Sequence, residues 1–176
     1  MERILIICCS GSGKTTLACQ IGEILHLPVV HLDKLWWTGN WDTVSREEFD
    51  ASLALELEKQ QWVMDGNYSR TMEVRLAKCD TIVYLDFDRI TCLWGMVKRV
   101  TRYYGRTRPD MGGNCPERFD WEFIQWIWNF NKKNREQNYR WLEETKQAEA
   151  IVLKNRRQVR KFLEQLKMKQ ESRTAN

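Results

Sequence analysis

Residues 8–16 read Cys-Cys-Ser-Gly-Ser-Gly-Lys-Thr-Thr, directly after an apolar run and directly before an amphipathic stretch. Glycine alternating with serine lets successive backbone N–H groups curl into a nest for phosphate oxygens, and a helix that starts there adds its positive end. In such a loop Cys9, Ser10, Gly11, Ser12, Gly13, Lys14, Thr15 and Thr16 hold the nucleotide, Lys14 reaches the β- and γ-phosphates, and the Thr15 hydroxyl ligates Mg²⁺. ATP and Mg²⁺ are the expected bound groups. The phosphate-loop pattern has glycine where Cys8 stands, so a side chain there is expected to crowd the turn or oppose a positive φ. The competing reading is a plain Gly/Ser turn with Lys14 as a solvated cation. The order of apolar run, loop and amphipathic helix favours nucleotide binding.

The elements that would position this loop follow from hydrophobic spacing. Residues 3–8 form a short apolar strand of the kind buried on both faces of a parallel sheet. Leu17, Ile21 and Leu25 then mark a helix that stops before Pro28. Residues 29–32 and 62–64 read as strands, with a capping box from Ser45 to Glu48 and an apolar stripe of Phe49, Leu53 and Leu57 between them. A short helical stretch at 71–78 is followed by a strand at 81–85 and a helix carrying Ile90, Leu93, Trp94 and Val97. Residues 105–117 are a loop with three Gly and two Pro. A long aromatic helix at 120–146, a strand at 150–153, a helix at 159–166 and a frayed tail at 167–176 complete the chain. Strands alternating with helices predict an α/β fold with a five-stranded parallel sheet.

The chain has 176 residues, one domain's worth, and carries 28 Lys and Arg against 24 Asp and Glu, too small an excess to mark the whole protein as a nucleic-acid binder. The charge is uneven. Residues 1–88 hold 8 basic and 14 acidic residues, and residues 89–176 hold 20 and 10, so the second half is suited to something anionic. The longest apolar run, residues 4–9, has six residues, where a membrane span needs about 20. No signal peptide is read, and the cytoplasm is the expected location. Six cysteines without CxxC spacing suggest neither zinc nor disulfides and are expected to be reduced and mostly buried.

The phosphate loop is accompanied by Val30-His31-Leu32-Asp33, Asp65-Gly66-Asn67-Tyr68-Ser69-Arg70, Arg108-Pro109-Asp110-Met111 and Glu117-Arg118-Phe119-Asp120. Together these resemble the bacterial family of DNA topology modulation proteins, which are similar to adenylate kinase and related P-loop kinases. The resemblance runs from Ile4 to about Leu166. It implies a P-loop NTPase fold like that of nucleoside monophosphate kinases, with a lid at about residues 99–119. Asp65-Gly66 is similar to the Asp-Gly after the third strand of those kinases, which implies that Asp65 helps hold Mg²⁺ through water. Their acceptor-phosphate arginine would here be Arg70, one position later than in their pattern. The loop after the fifth strand passes the adenine in such folds, which implies an adenine contact for Arg157, with a solvated helix start as the other reading.

Asp33 is expected to end the second strand, at the sheet edge where open α/β folds bind ligands. A carboxylate there either takes up the proton of an acceptor hydroxyl or is bonded to nearby loop amides. His31 is read as a packed histidine. Trp36, Trp37 and Trp41 form either an acceptor pocket that stacks a planar group or simple packing. Phe123, Trp126, Ile127 and Phe130 have core spacing, and Asp86 and Asp88 read as loop or helix-start residues. Residues 98–108 hold five cations and no acid, a self-repelling stretch that phosphates would relieve. Arg99, Arg102, Arg106 and Arg108 are therefore expected in the lid, over the transferred phosphoryl group. The expectation is an ATP-dependent kinase acting on a small acceptor, a nucleotide or related metabolite. The alternative is a nucleotide-binding regulatory protein that contacts DNA with little turnover.

Overall fold

The computed structural model describes residues 1–174. Its centre is strand β1 (Arg3–Cys8), whose side chains from Ile4 to Cys8 are all buried. Because successive residues of a strand face opposite ways, Ile4, Ile6 and Cys8 enter one core and Leu5 and Ile7 the other. A strand needed by both cores has no room for polar side chains, which is why this run is wholly apolar.

β1 is flanked by β5 (Trp62–Asp65) on one side and β6 (Thr81–Leu85) on the other. β2 (Val29–His31) and β7 (Glu149–Leu153) form the edges. All pairings are parallel, giving the order β2-β5-β1-β6-β7 and the five-stranded sheet expected from the sequence. The first core is closed by α1 (Lys14–Leu25), α5 (Arg89–Tyr103), α6 (Trp121–Glu144) and α7 (Arg156–Thr174). The second is closed by α3 (Arg46–Leu57), α4 (Met72–Lys78) and the far end of α6, through Tyr139, Trp141 and Leu142.

Caps set the helix starts. Ser45 Oγ accepts from Glu48 N at 3.1 Å, Asp88 Oδ1 from Thr91 N at 2.9 Å, and Asp120 Oδ1 from Phe123 N at 3.1 Å. Asp88 is thus a helix-start residue, as expected. Asp86 instead accepts from Arg135 Nη2 and the Tyr139 hydroxyl, both at 2.8 Å, and ties α6 to the sheet. The six cysteines are free, all buried except the half-buried Cys19.

Three local expectations change. β2 stops at His31, and Leu32 opens a five-residue helix, α2 (Leu32–Trp36), so Asp33 sits in a helical first turn instead of closing the strand. A small hairpin, β3 (Trp37–Gly39) with β4 (Asp42–Thr43), follows. The expected frayed tail is helical through Thr174, since Leu166 is buried and Ser172 Oγ bonds back to Met168 O at 2.8 Å; residues 175–176 lie outside the described residues. No described helix is long and apolar enough to cross a membrane.

Candidate active site

The loop between β1 and α1 is built from backbone. Gly13 caps α1 with φ of 92°, a left-handed conformation that favours glycine, and no side chain accepts from the first-turn amides. Those donors point outward from a positive helix end with no acid in the first turn. Gly11, also left-handed, lies so close to α5 that a Cβ on it would stand 2.0 Å from Cys92 O. Gly95 is its counterpart, since a Cβ there would meet Gly11 O at 2.0 Å. The two glycines let α5 press its backbone on the loop, and Arg99, one turn beyond Gly95, donates to Ser10 Oγ at 3.1 Å.

Cys8 does not crowd the turn. It remains in the strand as the partner of Leu85 and is not among the positive-φ residues, so the first position of this loop asks for no left-handed conformation. Its amide donates to Asn67 Oδ1 at 3.3 Å, and its sulfur accepts from the Ser12 hydroxyl at 2.7 Å. Burial pushes the thiol up to about 11. Lys14 is half-buried; desolvation alone would lower its pKa, but Cys8, Asp33 and Asp65 outweigh it, and its ammonium is held above its usual range.

At the end of β5, Asp65 is 3 % exposed. Its Oδ1 is bonded to His31 Nδ1 at 2.8 Å, and its buried Oδ2 has no hydrogen-bond partner. His31 is therefore more than a packed ring, because it fixes the plane of the Asp65 carboxylate. The turn beyond Asp65 is clamped by Arg75, a fully buried guanidinium that donates to the carbonyls of Thr71, Gly66 and Tyr68 at 3.2, 2.9 and 2.6 Å. Burial lowers its pKa to about 10. Nothing in the sequence singled out Arg75; the only signal was an arginine on the apolar side of a short helix.

Two cavities open over the loop. The larger, about 790 Å³, is lined by Gly13, Lys14, Thr15, Thr16, Arg102 and Arg156, among others. The smaller, about 340 Å³, is lined by Asp33, Asn67, Tyr68 and a set of aromatic rings. Lys14, Arg99 and Arg108 line both, so the cavities meet at three cations. Arg108 Nε and Arg99 Nε lie 2.6 and 3.1 Å from the buried Glu117 Oε1, and Arg108 Nη1 lies 2.5 Å from Asp110. Neither Nε is aligned to hydrogen-bond Glu117, so one carboxylate screens two crowded guanidiniums without satisfying either. Burial, and then repulsion by Arg108, push the Arg99 pKa below its usual value. Anionic oxygens would complete this junction.

Asp33 faces the smaller cavity, accepting from the Tyr68 hydroxyl at 2.7 Å, with Arg108 Nη2 at 3.9 Å. Burial, then the charge of Asp33, push the Tyr68 phenol far above its usual range, so it stays a donor. The aromatic stripe of α6 divides: Ile127 and Phe130 are core, whereas Phe123 and Trp126 line the cavity.

The expected lid divides as well. Arg99 and Arg102 are helical, on α5, and residues 104–120 form a loop whose Asp110 Oδ2 accepts from the Thr15 hydroxyl at 3.5 Å. The loop also docks on the hairpin, Asn40 N donating to Asn114 O at 2.6 Å. Arg106 is exposed and lines neither cavity. Arg70 is held outside too, in a bidentate pair with Asp50 at 2.6 and 2.8 Å. At the start of α7 the cavity residue is Arg156, whose guanidinium lies over Phe87 at 5.0 Å and abuts Gly13, while Arg157 lines neither cavity.

A parallel sheet of this order, with a glycine loop running from its central strand into a helix, is the fold of P-loop kinases. No protein-family model matches the chain, and a search of curated proteins finds no match. Among solved structures, the chain is similar to a shikimate kinase from Acinetobacter baumannii in complex with shikimate, at 15% identity and a TM-score of 0.60, covering 94% of this chain and 90% of that one. It is similar to a shikimate kinase from Bacteroides thetaiotaomicron at 18% identity and TM-score 0.54, covering 97% and 98%. A gluconokinase from Sinorhizobium meliloti 1021 follows at 16% identity and TM-score 0.51, covering 97% and 94%. Likeness at this identity establishes the P-loop kinase fold.

Proposed function

We propose that this protein is a kinase that moves the γ-phosphoryl group of Mg·ATP to a hydroxyl of a small acceptor. The observation that carries the reading is the meeting of two cavities at Lys14, Arg99 and Arg108, with Asp33 in the second. The loop amides and Lys14 hold the phosphates in the first cavity, and Arg156 flanks them. Asp65, with a buried oxygen lacking any partner, and the Thr15 hydroxyl are the oxygen groups that would hold Mg²⁺. When bound, the ion would neutralise charge on the phosphates.

In the second cavity Asp33 accepts a hydrogen bond from the acceptor hydroxyl and takes its proton as the oxygen bonds to phosphorus. The bond from phosphorus to the β-phosphate oxygen breaks, leaving ADP and a phosphorylated acceptor. Arg99, Arg108 and Lys14 stand where charge builds on the migrating group, and docking of loop 104–120 keeps water from competing.

A hydroxyl acceptor is favoured over the phosphate of a nucleotide. An ionised phosphate needs no base, yet a carboxylate faces the cavity, and Arg70, the residue proposed to grip such a phosphate, is paired with Asp50 outside it. The DNA reading draws on residues 98–108, of which Arg99 and Arg108 turn inward onto Glu117. An ATP donor fits the cytoplasm expected from the sequence. The test is ADP release from Mg·ATP with a panel of small alcohols and nucleoside monophosphates. Alcohols support turnover, Lys14→Ala lowers ATP affinity at least tenfold by calorimetry, and equal affinity in the two proteins would overturn the reading.

A further inference from the structure

The smaller cavity is walled by rings. Trp36, Trp37, Trp41, Phe123 and Trp126 all line it, and each is half-buried or, for Trp126, 42 % exposed. Tryptophan in an apolar core is covered; these rings keep part of their surface open. Phe123 and Trp126 are parallel to within 8° with centroids 5.6 Å apart, and Trp37 and Trp41 meet edge to face at 5.3 Å. Trp41 is also held in an uncommon backbone conformation. It follows Asn40 in the left-handed region, with φ of 49° and 65°, which is unfavourable for a bulky residue and persists only where the surroundings fix it. Here its indole N–H donates to Pro116 O at 3.2 Å, and Arg118 lies over the ring at 5.8 Å.

The cations that line the cavity, Lys14, Arg99 and Arg108, are the three shared with the phosphate cavity, and Arg99 also lies over the Phe123 ring at 5.5 Å. Apart from Asp33, the rest of the lining is rings, Met111 and a few neutral polar groups. A carboxylate or phosphate on the acceptor would have to compete with the transferred phosphoryl group for those three cations. The indole faces offer a polyol no hydrogen-bonding atoms, so its hydroxyls would depend on the few neutral polar groups.

Resting on the kinase reading above, we infer that the acceptor is an uncharged alcohol built on a planar ring, a nucleoside or another heteroaromatic alcohol, with its ring among the tryptophans and its hydroxyl at Asp33. Stacking is indifferent to which ring is present, so the wall defines this shared chemistry rather than one compound.

The experiment uses the full chain and three readouts: calorimetric binding of ATP, quenching of tryptophan fluorescence by acceptors beside a non-hydrolysable ATP analogue, and ADP release. The probes are adenosine, thymidine and pyridoxine as ring alcohols, shikimate and gluconate as anionic polyols, and nucleoside monophosphates. At least one ring alcohol should quench in a saturable way and release ADP with kcat/KM about tenfold or more above every polyol and monophosphate. Whether the nucleosides or pyridoxine do so assigns the source of the ring. Trp41→Ala should raise KM for that alcohol about tenfold with kcat and ATP affinity little changed, the signature of lost uniform binding. Trp126→Ala, at a more exposed position, should do the same if Trp41→Ala does not fold. Preference for a polyol, no response to any ring alcohol in a protein that binds ATP, or an unchanged KM in the folded variants would overturn the inference while leaving the kinase reading intact, whereas preference for a monophosphate would overturn the hydroxyl acceptor as well. Failure to bind ATP would overturn both.

Discussion

Cys8 sits under the phosphate loop in strand geometry, paired with Leu85 and bonded by the Ser12 hydroxyl. Because the position needs no left-handed backbone, Cys8→Gly should keep ATP affinity within about twofold while costing about 1–2 kcal/mol, as a buried side chain is lost and a strand gains glycine's chain entropy. Calorimetry and denaturant unfolding read the two effects separately; a large loss of affinity in the folded variant would show a role for the sulfur in binding. The thiols of Cys8 and Cys79 are both pushed by burial from an ordinary 9.0 up to about 11. The unfolded chain gives up these protons near pH 9 and the folded chain holds them to about pH 11, so their contribution is complete below pH 9 and is lost between those values. The melting temperature should therefore fall from pH 9 to 11, less steeply in Cys8→Gly, and an equal slope in the variant would contradict the assignment. Single positions stood out in the sequence where a motif named them, as with Lys14 and Thr15, which line the larger cavity. His31 did not, because its partner Asp65 is 34 residues away and only the pairing of β2 with β5 brings the two together.

The elements around the site are set by close backbone approaches and buried clamps. Gly11 against Gly95 fixes how deeply α5 sits, and hence where Arg99 points. Arg75 fixes the turn after β5; Arg75→Ala would leave three carbonyls without their donor and should destabilise the protein by about 3–5 kcal/mol in urea unfolding. Stability within 1 kcal/mol of wild type would show that water replaces the clamp. Loop 104–120 closes on the phosphate loop through Asp110 and on the hairpin through Asn114. Trypsin should cut after exposed Arg102 or Arg106 in the free protein, and a bisubstrate analogue should slow those cuts more than DNA does. Unchanged cleavage with the analogue bound would mean that the loop is not a lid. Hydrophobic spacing foretold the long helices but not α2 or the hairpin, which are too short for a period to show. Nor did it place the start of α7. An advance of one residue turns a side chain about 100° around a helix, which decides that Arg156 and not Arg157 faces the loop.

Across the whole molecule, the two halves of the charge asymmetry meet over the carboxyl edge of the sheet. The acidic first half supplies Asp33 and Asp65 and the basic second half supplies Arg99, Arg108 and Arg156. The five-strand plan was readable because buried parallel strands are short apolar runs separated by helices, and that pattern survives without any knowledge of contacts. The division of the basic stretch into inward and outward arginines was not, since it depends on Glu117, folded back onto α5. On the kinase reading, phosphoryl transfer crosses from one cavity to the other at this junction and needs Asp33 as base. Label followed from [γ-³²P]ATP into an acceptor alcohol, in the wild type and in Asp33→Asn, tests this. Label should transfer in the wild type, and kcat should fall about 10²–10⁴-fold in the variant, with ATP affinity unchanged. Transfer by Asp33→Asn at the wild-type rate, or label passing only to water in the wild type, would contradict it.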